Sequence, residues 1–300
     1  MRTAISPRFA TRTFENIGAR RVARCSEALI AFEKERSLVA SGGVEREPFD
    51  PAEIEAIAGA VPWVRRVVCL AEVDSTNAEA LRLAASGEPE GLVVVADSQT
   101  TGRGRLGRSW WAEPGTALLA SWLTRPALDP ERWPLLSLVA GVAAARAASA
   151  SGGVDVRLKW PNDLLINGHK LGGILAESDA RGGVVVGLGL NVRQTAFPGE
   201  LRASATSLAA SGGRVPARAW LLAATLSAFG AHMSAPESAL DDYRKMCDTL
   251  GLRVRVERSD SEPVEGEAVS LTETGALVLA TSSGDVVVTS GDVVHLRSTD

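Results

Sequence analysis

The strongest constraint on the fold is a hairpin signal near the middle of the chain. The dipeptide Asn167-Gly168 lies between the apolar runs DLLI and KLGGILAE. An Asn-Gly pair between such runs favours a two-residue turn in which both residues have a positive φ, and this turn joins antiparallel strands. The turn would return the chain past itself and bring Lys159 and Lys170, two of only four lysines among 32 basic residues, into one neighbourhood.

The rest of the pattern mixes strands and helices. Thr76 and Glu79 have the spacing of a capping box, which predicts a helix that begins there. Because pairs of strands with interspersed helices replace a regular alternation of strand and helix, the pattern indicates an α+β fold with a central mixed sheet. Strands are predicted at 64–71, 91–99, 116–124, 156–161 and 184–192, and helices at 51–59 and 133–149, with two more between 216 and 250.

The two ends of the chain differ from this middle part. Residues 1–50 begin with a segment rich in arginine, alanine and serine with weak periodicity, and they are expected to form a poorly ordered extension. The last fifty residues are short apolar runs separated by turn residues, which is typical of a small β-barrel. The predicted units are therefore an extension at 1–50, a main domain at 51–249 and a β-domain at 250–300.

Composition narrows the functional classes. The net charge of −4 argues against a broad basic surface for DNA. The three cysteines lack CxxC spacing and the N-terminus lacks the apolar core of a secretory signal, so a reduced cytoplasmic protein is expected. The longest apolar segment is interrupted by Arg146 and predicts no membrane span. The three histidines are too dispersed to predict a metal site held by protein groups alone.

An arginine-rich glycine loop carries the first chemical signal. TTGRGRLGRSWW at 100–111 has three glycines in the spacing of a dinucleotide fingerprint. A strand rather than a helix is predicted after it, and arginines occupy positions where a dinucleotide loop has small residues, so this interpretation is rejected. Glycines allow backbone N–H groups to approach a ligand, while guanidiniums hold carboxylate or phosphate oxygens. We expect a mobile loop that closes over a polyanion; a solvated arginine-rich turn is the simpler alternative.

Residues beside the hairpin point to the same anion. Because arginine serves almost everywhere else, Lys159 and Lys170 are expected where a compact ammonium is needed as a point charge. Gly172 and Gly173 would remove side chains where a ligand lies against the backbone. One tryptophan of the pair at 110 and 111 would face the site, where its ring could cover a base or an alkyl chain.

Several motifs occur in the order in which biotin protein ligases carry them. They are DSTN at 74–77, Gln99, GRGRLGRSW at 102–110, LKWPND at 158–163, HKLGGILAE at 169–177, GLGLN at 187–191 and ATSL at 205–208. From about residue 64 onwards the chain resembles the biotin protein ligases, or biotin–[acetyl-CoA-carboxylase] ligases. The resemblance implies a central α+β domain related to class II aminoacyl-tRNA synthetases and lipoate ligases, followed by an SH3-like domain. It does not extend to the N-terminal winged helix of some members, so repressor activity is not expected.

The resemblance implies a two-step reaction. Biotin and ATP, with Mg²⁺, would give biotinoyl-5′-AMP, and the biotinoyl group would pass to a lysine of the biotin carboxyl carrier domain of an acyl-CoA carboxylase. Cations aimed at both the biotin carboxylate and the α-phosphate would offset their repulsion. The residues that match the family's catalytic positions are Arg105 and Lys170.

The same matches define two expected subsites. Asn191 would contact adenine, and Trp110 would pack on the closed ligand. The biotin subsite would comprise Ser75, Thr76, Asn77, Gln99, Arg103, Gly104, Arg105, Trp110, Lys170, Gly172 and Gly173. The ATP and adenylate subsite would comprise Arg103, Arg105, Arg108, Trp110, Lys159, Asn162, Asp163, Lys170 and Asn191. Mg²⁺ is expected to arrive with ATP, and no residue is assigned to a metal site.

Three other functions stay open at this point. A lipoate ligase shares the fold and the reaction type, but it would need a pocket for a dithiolane and gives no reason for the full GRGRLGR and KWPND set. A regulator that senses biotin would bind the vitamin without consuming ATP. A nicotinamide-dependent enzyme is disfavoured by the composition of the glycine loop.

Overall fold

The structure of the chain, a computed structural model, describes residues 47–258 and 261–296. Most of the extension predicted at 1–50 therefore lies outside the described residues. The part that is described contacts the main domain: Phe49 is buried, its backbone N–H donates to Asp97, and the guanidinium of Arg218 lies 3.9 Å from its ring centre. The limit at residue 50 stays a prediction, although these contacts place Phe49 with the folded part.

A mixed sheet of seven strands forms the centre of the fold. Its strands are β1 (Arg66–Val73), β2 (Leu92–Gln99), β3 (Ala117–Thr124), β4 (Arg157–Lys159), β5 (Asp163–Ile166), β6 (His169–Ser178) and β7 (Val184–Asn191). They lie in the order β1-β2-β3-β7-β6-β5-β4. β1 and β2 are parallel and all other neighbours are antiparallel. The expected α+β class with a central mixed sheet is thus confirmed.

Five helices accompany this sheet in the described part of the chain. They are α1 (Pro51–Ala60), α2 (Thr76–Ser86), α3 (Leu135–Gly152), α4 (Arg218–Met233) and α5 (Pro236–Met246). By length and composition the segment Pro130–Gly152 could cross a membrane, but 78% of its most apolar window is buried inside the protein. It packs against α4 and α5, and its many alanines allow this close approach. This segment therefore has the burial of a core helix.

The hairpin between β5 and β6 forms as its sequence predicts. Asn167 has a φ of 50° and Gly168 a φ of 78°, so both turn residues are in the left-handed region that Asn and Gly tolerate best. Ile166 pairs with His169 across the turn. The turn brings the end of β5 next to the start of β6 and sets the register of β6, the strand that carries Lys170.

α2 begins at Thr76, within the polar cluster where a helix start was predicted, but the capping box does not form. Ser75, not Thr76, is the N-cap: its backbone is extended and its side chain faces the backbone N–H of Ala78 at 3.5 Å. Glu79 pairs with Arg82 instead of closing a capping box. The physical reason is that the hydroxyl of Thr76 already donates to Gln99 on a neighbouring strand, so tertiary contacts prevail over the local motif.

A second, five-stranded antiparallel sheet follows. Its strands are β8 (Arg253–Glu257), β9 (Val264–Leu271), β10 (Leu277–Thr281), β11 (Gly284–Val288) and β12 (Asp292–His295), in the order β11-β10-β9-β8-β12. This small sheet agrees with the expected SH3-like domain. The indole of Trp160 donates to the carbonyl of Gly275, and its backbone N–H donates to Thr249, so this buried residue ties the main sheet to the β-domain. The boundary at 249/250 falls between α5 and β8 and stays a prediction.

Candidate active site

One cavity of about 460 Å³ lies where the start of α2, the glycine loop, β4 to β7 and the start of β12 meet. Every residue that the sequence assigned to the biotin or ATP subsite lines it except Gly172. Residues more than 100 positions apart in the chain are therefore brought to one place.

Gly172 and Gly173 face opposite sides of β6, because successive residues of a strand alternate. A Cβ on Gly172 would lie 2.7 Å from the carbonyl oxygen of Gly189, so this glycine allows β6 and β7 to pack closely. A Cβ on Gly173 would lie 3.6 Å from Nζ of Lys170 and 3.7 Å from Oδ1 of Asp163. Gly173 thus faces the charged part of the cavity, whereas Gly172 has a packing role.

A hydrogen-bonded group of polar side chains forms one end of the cavity. The backbone N–H and the hydroxyl of Thr76 both donate to Oε1 of Gln99, at 2.8 and 3.1 Å. The hydroxyl of Ser121 lies 2.8 Å from Oγ1 of Thr76 and 2.6 Å from Oδ1 of Asn77. Since Oε1 of Gln99 is already an acceptor, its amide Nε2 is left as a donor beside Gly102. This end can recognise a small polar ring.

Asn77 continues this group towards the glycine loop. Its amide Nδ2 donates to the carbonyl of Leu175 at 3.1 Å and to Oε2 of Glu177 at 2.7 Å. A Cβ on Gly187 would lie 2.0 Å from Oδ1 of Asn77, so only glycine leaves room for this side chain. The same Oε2 of Glu177 accepts a hydrogen bond from Arg103 at 3.2 Å. Sequence reasoning did not assign Ser121, Gly187 or Glu177 to the site.

The glycine loop is a small hairpin. Trp110 donates from its backbone to Gly102, and Gly104 donates to Arg108 at 2.7 Å, so the loop closes on itself. Leu106 stands at its tip with a φ of 54° and is exposed. A Cβ on Gly102 would lie 2.5 Å from the carbonyl oxygen of Trp110, which explains the glycine at the base of the loop.

Arg105 lies deepest of the three loop arginines. Its Nη1 donates to Oδ1 of Asn162 and to the carbonyl of Gly291, both at 3.3 Å. Burial lowers the pKa of the Arg105 guanidinium, while Asp163 and Asp292 oppose the effect. An arginine stays cationic at neutral pH, so this group brings a poorly hydrated positive charge into the cavity.

The β-domain supplies part of the cavity wall, which sequence reasoning missed. Arg108 pairs with Asp292 at the start of β12, and this hydrogen bond raises the pKa of Arg108. Residues 291–295 all line the cavity. The pattern of β12 carries no distinguishing signal, because its placement depends on contacts across more than 180 positions of sequence.

The lysine of the hairpin strand faces a carboxylate. Nζ of Lys170 lies 2.6 Å from Oδ1 of Asp163, and both line the cavity together with Lys159. Asn162 is held beside them, because its amide donates to the carbonyl of Ile174 at 2.7 Å. Lys159 on β4 and Lys170 on β6 therefore line the same cavity.

Trp110 and Asn191 lie at the β7 side of the cavity. A Cβ on Gly189 would lie 2.5 Å from the ring of Trp110, so the indole rests directly on the backbone of β7. The amide of Asn191 donates to the carbonyl of Thr206 at 2.9 Å, and its oxygen accepts from Gln194. Gly187 and Gly189 alternate along β7, and this alternation within GLGLN is a signal that could have identified both.

Acidic groups and metal ligands are sparse at this cavity. Within residues 47–258 and 261–296, no group of three or more histidine, cysteine, aspartate or glutamate side chains has a geometry that could hold a metal ion. The charged groups of the cavity are three arginines and two lysines against two carboxylates, those of Asp163 and Asp292. Such an arrangement suits a ligand with several negative charges.

Comparison with known proteins agrees with this geometry. Residues 70–192 match the model of the biotin/lipoate A/B protein ligase family, and residues 249–296 match that of the biotin protein ligase C-terminal domain. The biotin–[acetyl-CoA-carboxylase] ligase of Mycobacterium tuberculosis is 39% identical over 262 residues, which cover 84% of this chain and 97% of that protein. A bifunctional ligase/repressor of Bacillus spizizenii is 35% identical and covers 74% of this chain and 71% of its own.

Solved structures give the same result. The biotin protein ligase of Aquifex aeolicus in complex with biotin and ATP has a TM-score of 0.69 and 30% identity, and covers 78% of this chain and all of its own. The Leishmania major ligase in complex with biotinyl-5-AMP has a TM-score of 0.55 and 28% identity, and covers 78% of this chain and 99% of its own. These matches span both the main domain and the β-domain, and the chain belongs to the biotin protein ligase family.

Proposed function

We propose that this chain activates biotin with ATP to biotinoyl-5′-AMP and then transfers the biotinoyl group to a lysine of a biotin carboxyl carrier domain. The proposal rests on one observation: a single cavity has a neutral, hydrogen-bonding end at Thr76 and Gln99 and a cationic end at Arg105 and Lys170. The names of relatives support it: one is a biotin–[acetyl-CoA-carboxylase] ligase, and two solved neighbours contain biotin and ATP or biotinyl-5-AMP.

The neutral end suits the ureido ring of biotin. Ser75, Thr76, Asn77 and Gln99 offer donors and acceptors in a largely buried setting. A site built to pair a polar ring discriminates strongly against an analogue that lacks those groups, because the buried partners would be left unpaired. The dithiolane of lipoate has no such donors, so this end favours biotin over lipoate.

Adenylate formation requires two anions to approach. A carboxylate oxygen of biotin would attack the α-phosphorus of ATP, and the bond from that phosphorus to the pyrophosphate oxygen would break. Arg105 and Lys170 are the cations assigned to the carboxylate and to the charge that develops at phosphorus. Arg103, Arg108 and Lys159 line the same cavity and would hold phosphate oxygens.

Transfer would use the mixed anhydride. The neutral amine of the acceptor lysine would attack the biotinoyl carbonyl carbon, the amine would lose its proton to solvent, and AMP would leave. In this step Lys170 would contact the acyl-phosphate oxygens. The closed glycine loop would keep water away from the anhydride until the acceptor arrives.

The adenosine part is assigned to the β7 side. Trp110 would pack on the closed ligand, and Asn191 would contact adenine. Since the amide of Asn191 already bonds to Thr206 and Gln194, its orientation is fixed before any ligand arrives. A fixed amide would favour one orientation of the base.

Mg²⁺ would bind with ATP and supply charge neutralisation at the phosphates. Magnesium prefers oxygen ligands and keeps several waters, so phosphate oxygens and water would provide most of its shell. Asp163 is the carboxylate at the lysine end of the cavity and fits this chemistry as a single ligand. The carrier domain as partner and the cytoplasm as location belong to the same proposal.

Incubation of the purified chain with biotin, Mg-ATP and a biotin carboxyl carrier domain tests the function. The expected result is pyrophosphate release together with one biotinoyl group on the acceptor lysine, read by intact-mass spectrometry. A carrier with that lysine replaced by arginine is the matched control. Biotin binding without ATP consumption would indicate a sensor instead, and equal transfer of lipoate would indicate a lipoate ligase.

A further inference from the structure

The carboxylate of Glu177 links the two halves of the cavity. It lies near the end of β6, and one oxygen, Oε2, accepts from Nδ2 of Asn77 at 2.7 Å and from Nη2 of Arg103 at 3.2 Å. Asn77 belongs to the ring-binding end, whereas Arg103 belongs to the glycine loop. Glu177 is not among the residues assigned to the biotin subsite or to the ATP subsite.

The two partners of Glu177 differ in how firmly they are held. Asn77 is buried, Ser121 contacts its oxygen at 2.6 Å, and the missing side chain of Gly187 gives it room. Arg103 is exposed, with 44% of its side chain accessible. The carboxylate is therefore fixed from the protein interior and presents its charge to an exposed guanidinium.

Hydrogen bonds form a continuous path through this point. From Arg103 the path runs through Glu177, Asn77 and Ser121 to Thr76, whose backbone N–H donates to Gln99. A ligand that occupies the ring-binding end would add hydrogen bonds at the far side of this path. The amide of Asn77, which is already held by Ser121, keeps the carboxylate of Glu177 aimed at the loop.

The loop has little other support on this side. A second cavity of about 440 Å³ separates residues 103–108 of the loop from Ser137 and from residues 175–177 of β6. Apolar packing is thus replaced by open space there. The contact between Arg103 and Glu177 bridges this gap, because a long guanidinium side chain can reach across it.

We propose that Glu177 is a positioning residue that holds the glycine loop closed through Arg103 when the ring-binding end is occupied. The inference rests on the proposed function, because it assigns a role within the same site. Glu177 acts through Asn77 and Arg103. Its loss lets the loop open while the chemistry of Arg105 and Lys170 remains in place.

The loop carries its own reporter, because trypsin cleaves after arginine. In the presence of biotin and Mg-ATP, the unmodified protein should resist cleavage after Arg103, Arg105 and Arg108. Glu177→Gln keeps the size and the acceptor for Asn77 but removes the charge that Arg103 pairs with. We expect trypsin to cleave the liganded Glu177→Gln protein about tenfold faster than the unmodified protein, because the variant loses one charge-assisted hydrogen bond. The amount of free biotinoyl-AMP should increase in parallel.

Glu237→Gln is the matched control, because it removes an exposed glutamate that pairs with Arg132 away from the cavity. A double-mutant cycle gives a second measurement: if Glu177 acts through Arg103, Glu177→Gln should add nothing in an Arg103→Gln background. The proposal would be overturned if Glu177→Gln resisted trypsin and retained the adenylate as well as the unmodified protein does. Full additivity of the two substitutions in the cycle would overturn it as well. Failure of the proposed function is a separate outcome, seen when the unmodified protein forms no adenylate at all.

Discussion

Lys170 and Asp163 face each other across the β5–β6 hairpin, with Nζ of the lysine 2.6 Å from Oδ1 of the aspartate. The pair is partly exposed, so it contributes little to stability by itself. Its importance lies in orientation: the carboxylate holds the ammonium at the edge of the cavity, ready to exchange one negative partner for another when a ligand arrives.

Lys170→Ala is expected to lower the rate of adenylate formation by about 100-fold or more, the scale seen when one preorganised donor is removed from a charge-stabilising site. Pyrophosphate exchange with biotin measures this step directly. Lys245→Ala is the control, because this lysine is largely exposed on α5. Equal exchange rates in the two variants would remove the argument from the hairpin lysine.

Arg105→Ala is expected to weaken biotin binding and to increase the release of biotinoyl-AMP, because the guanidinium ties the glycine loop to Asn162 and Gly291. A pulse-chase experiment that separates free from enzyme-bound adenylate gives the fraction released. Arg255→Ala serves as control, because this arginine pairs with Glu257 and does not line the cavity. If the released fraction is the same as in the unmodified protein, the loop does not seal the site through Arg105.

Gly189→Ala and Gly59→Ala should have opposite effects on the free energy of unfolding. A Cβ at Gly189 would lie 2.5 Å from the ring of Trp110, so the alanine forces the indole out of place and destabilises the protein. Gly59 lies in α1 with nothing within 4 Å of its Cβ position, so alanine there should stabilise by about 0.5–1 kcal/mol. Urea unfolding with intrinsic tryptophan fluorescence measures both changes, and two changes of the same sign would contradict the packing described.

His295 is expected to make stability depend on pH. Burial, and to a smaller extent Lys159, lower the pKa of its imidazole below 6.5. The unfolded chain then takes up this proton at a higher pH than the folded chain. The contribution of His295 is therefore intact above pH 6.5 and is lost as the pH falls through the folded-state pKa.

His295→Gln should accordingly lose less stability than the unmodified protein between pH 7.5 and pH 5.5, as measured by urea unfolding at each pH. His169→Gln is a suitable control, because His169 is exposed at the hairpin turn. An identical pH dependence in the unmodified protein and in His295→Gln would show that the partial burial of His295 does not lower the pKa of its imidazole.

Local sequence signals predicted the parts of the fold that depend on local geometry. Asn167 and Gly168 adopt the positive φ values that their turn requires, since few other residues tolerate them. The capping box predicted at Thr76 was wrong, because the hydroxyl of Thr76 is used by Gln99, a partner that no local pattern reveals. Long-range contacts therefore decide which residue caps a helix even where the helix itself is evident.

The same distinction holds in the candidate site. The residues assigned to the two subsites from the motifs line one cavity, except Gly172. Gly172 lies on the other face of β6 from Gly173, because successive residues of a strand alternate. Ser121 was missed because it lies within an ordinary strand sequence, and Glu177, which ends the motif HKLGGILAE, was missed because nothing local indicates its contact with Asn77. The contribution of residues 291–295 was unpredictable for a related reason: it depends on how two sheets approach each other.

Two contacts join the glycine loop to residues 291 and 292 at the start of β12, and they depend differently on the amino acids at those positions. Arg108 meets the side chain of Asp292, and a single codon change can delete that partner. Arg105 meets the main-chain oxygen of Gly291, where a Cβ would lie 2.4 Å from a methyl group of Val256 and 2.8 Å from the carbonyl oxygen of Glu257. Homologues can therefore change every side chain of β12 and still keep the second contact, provided that the glycine before the strand is retained.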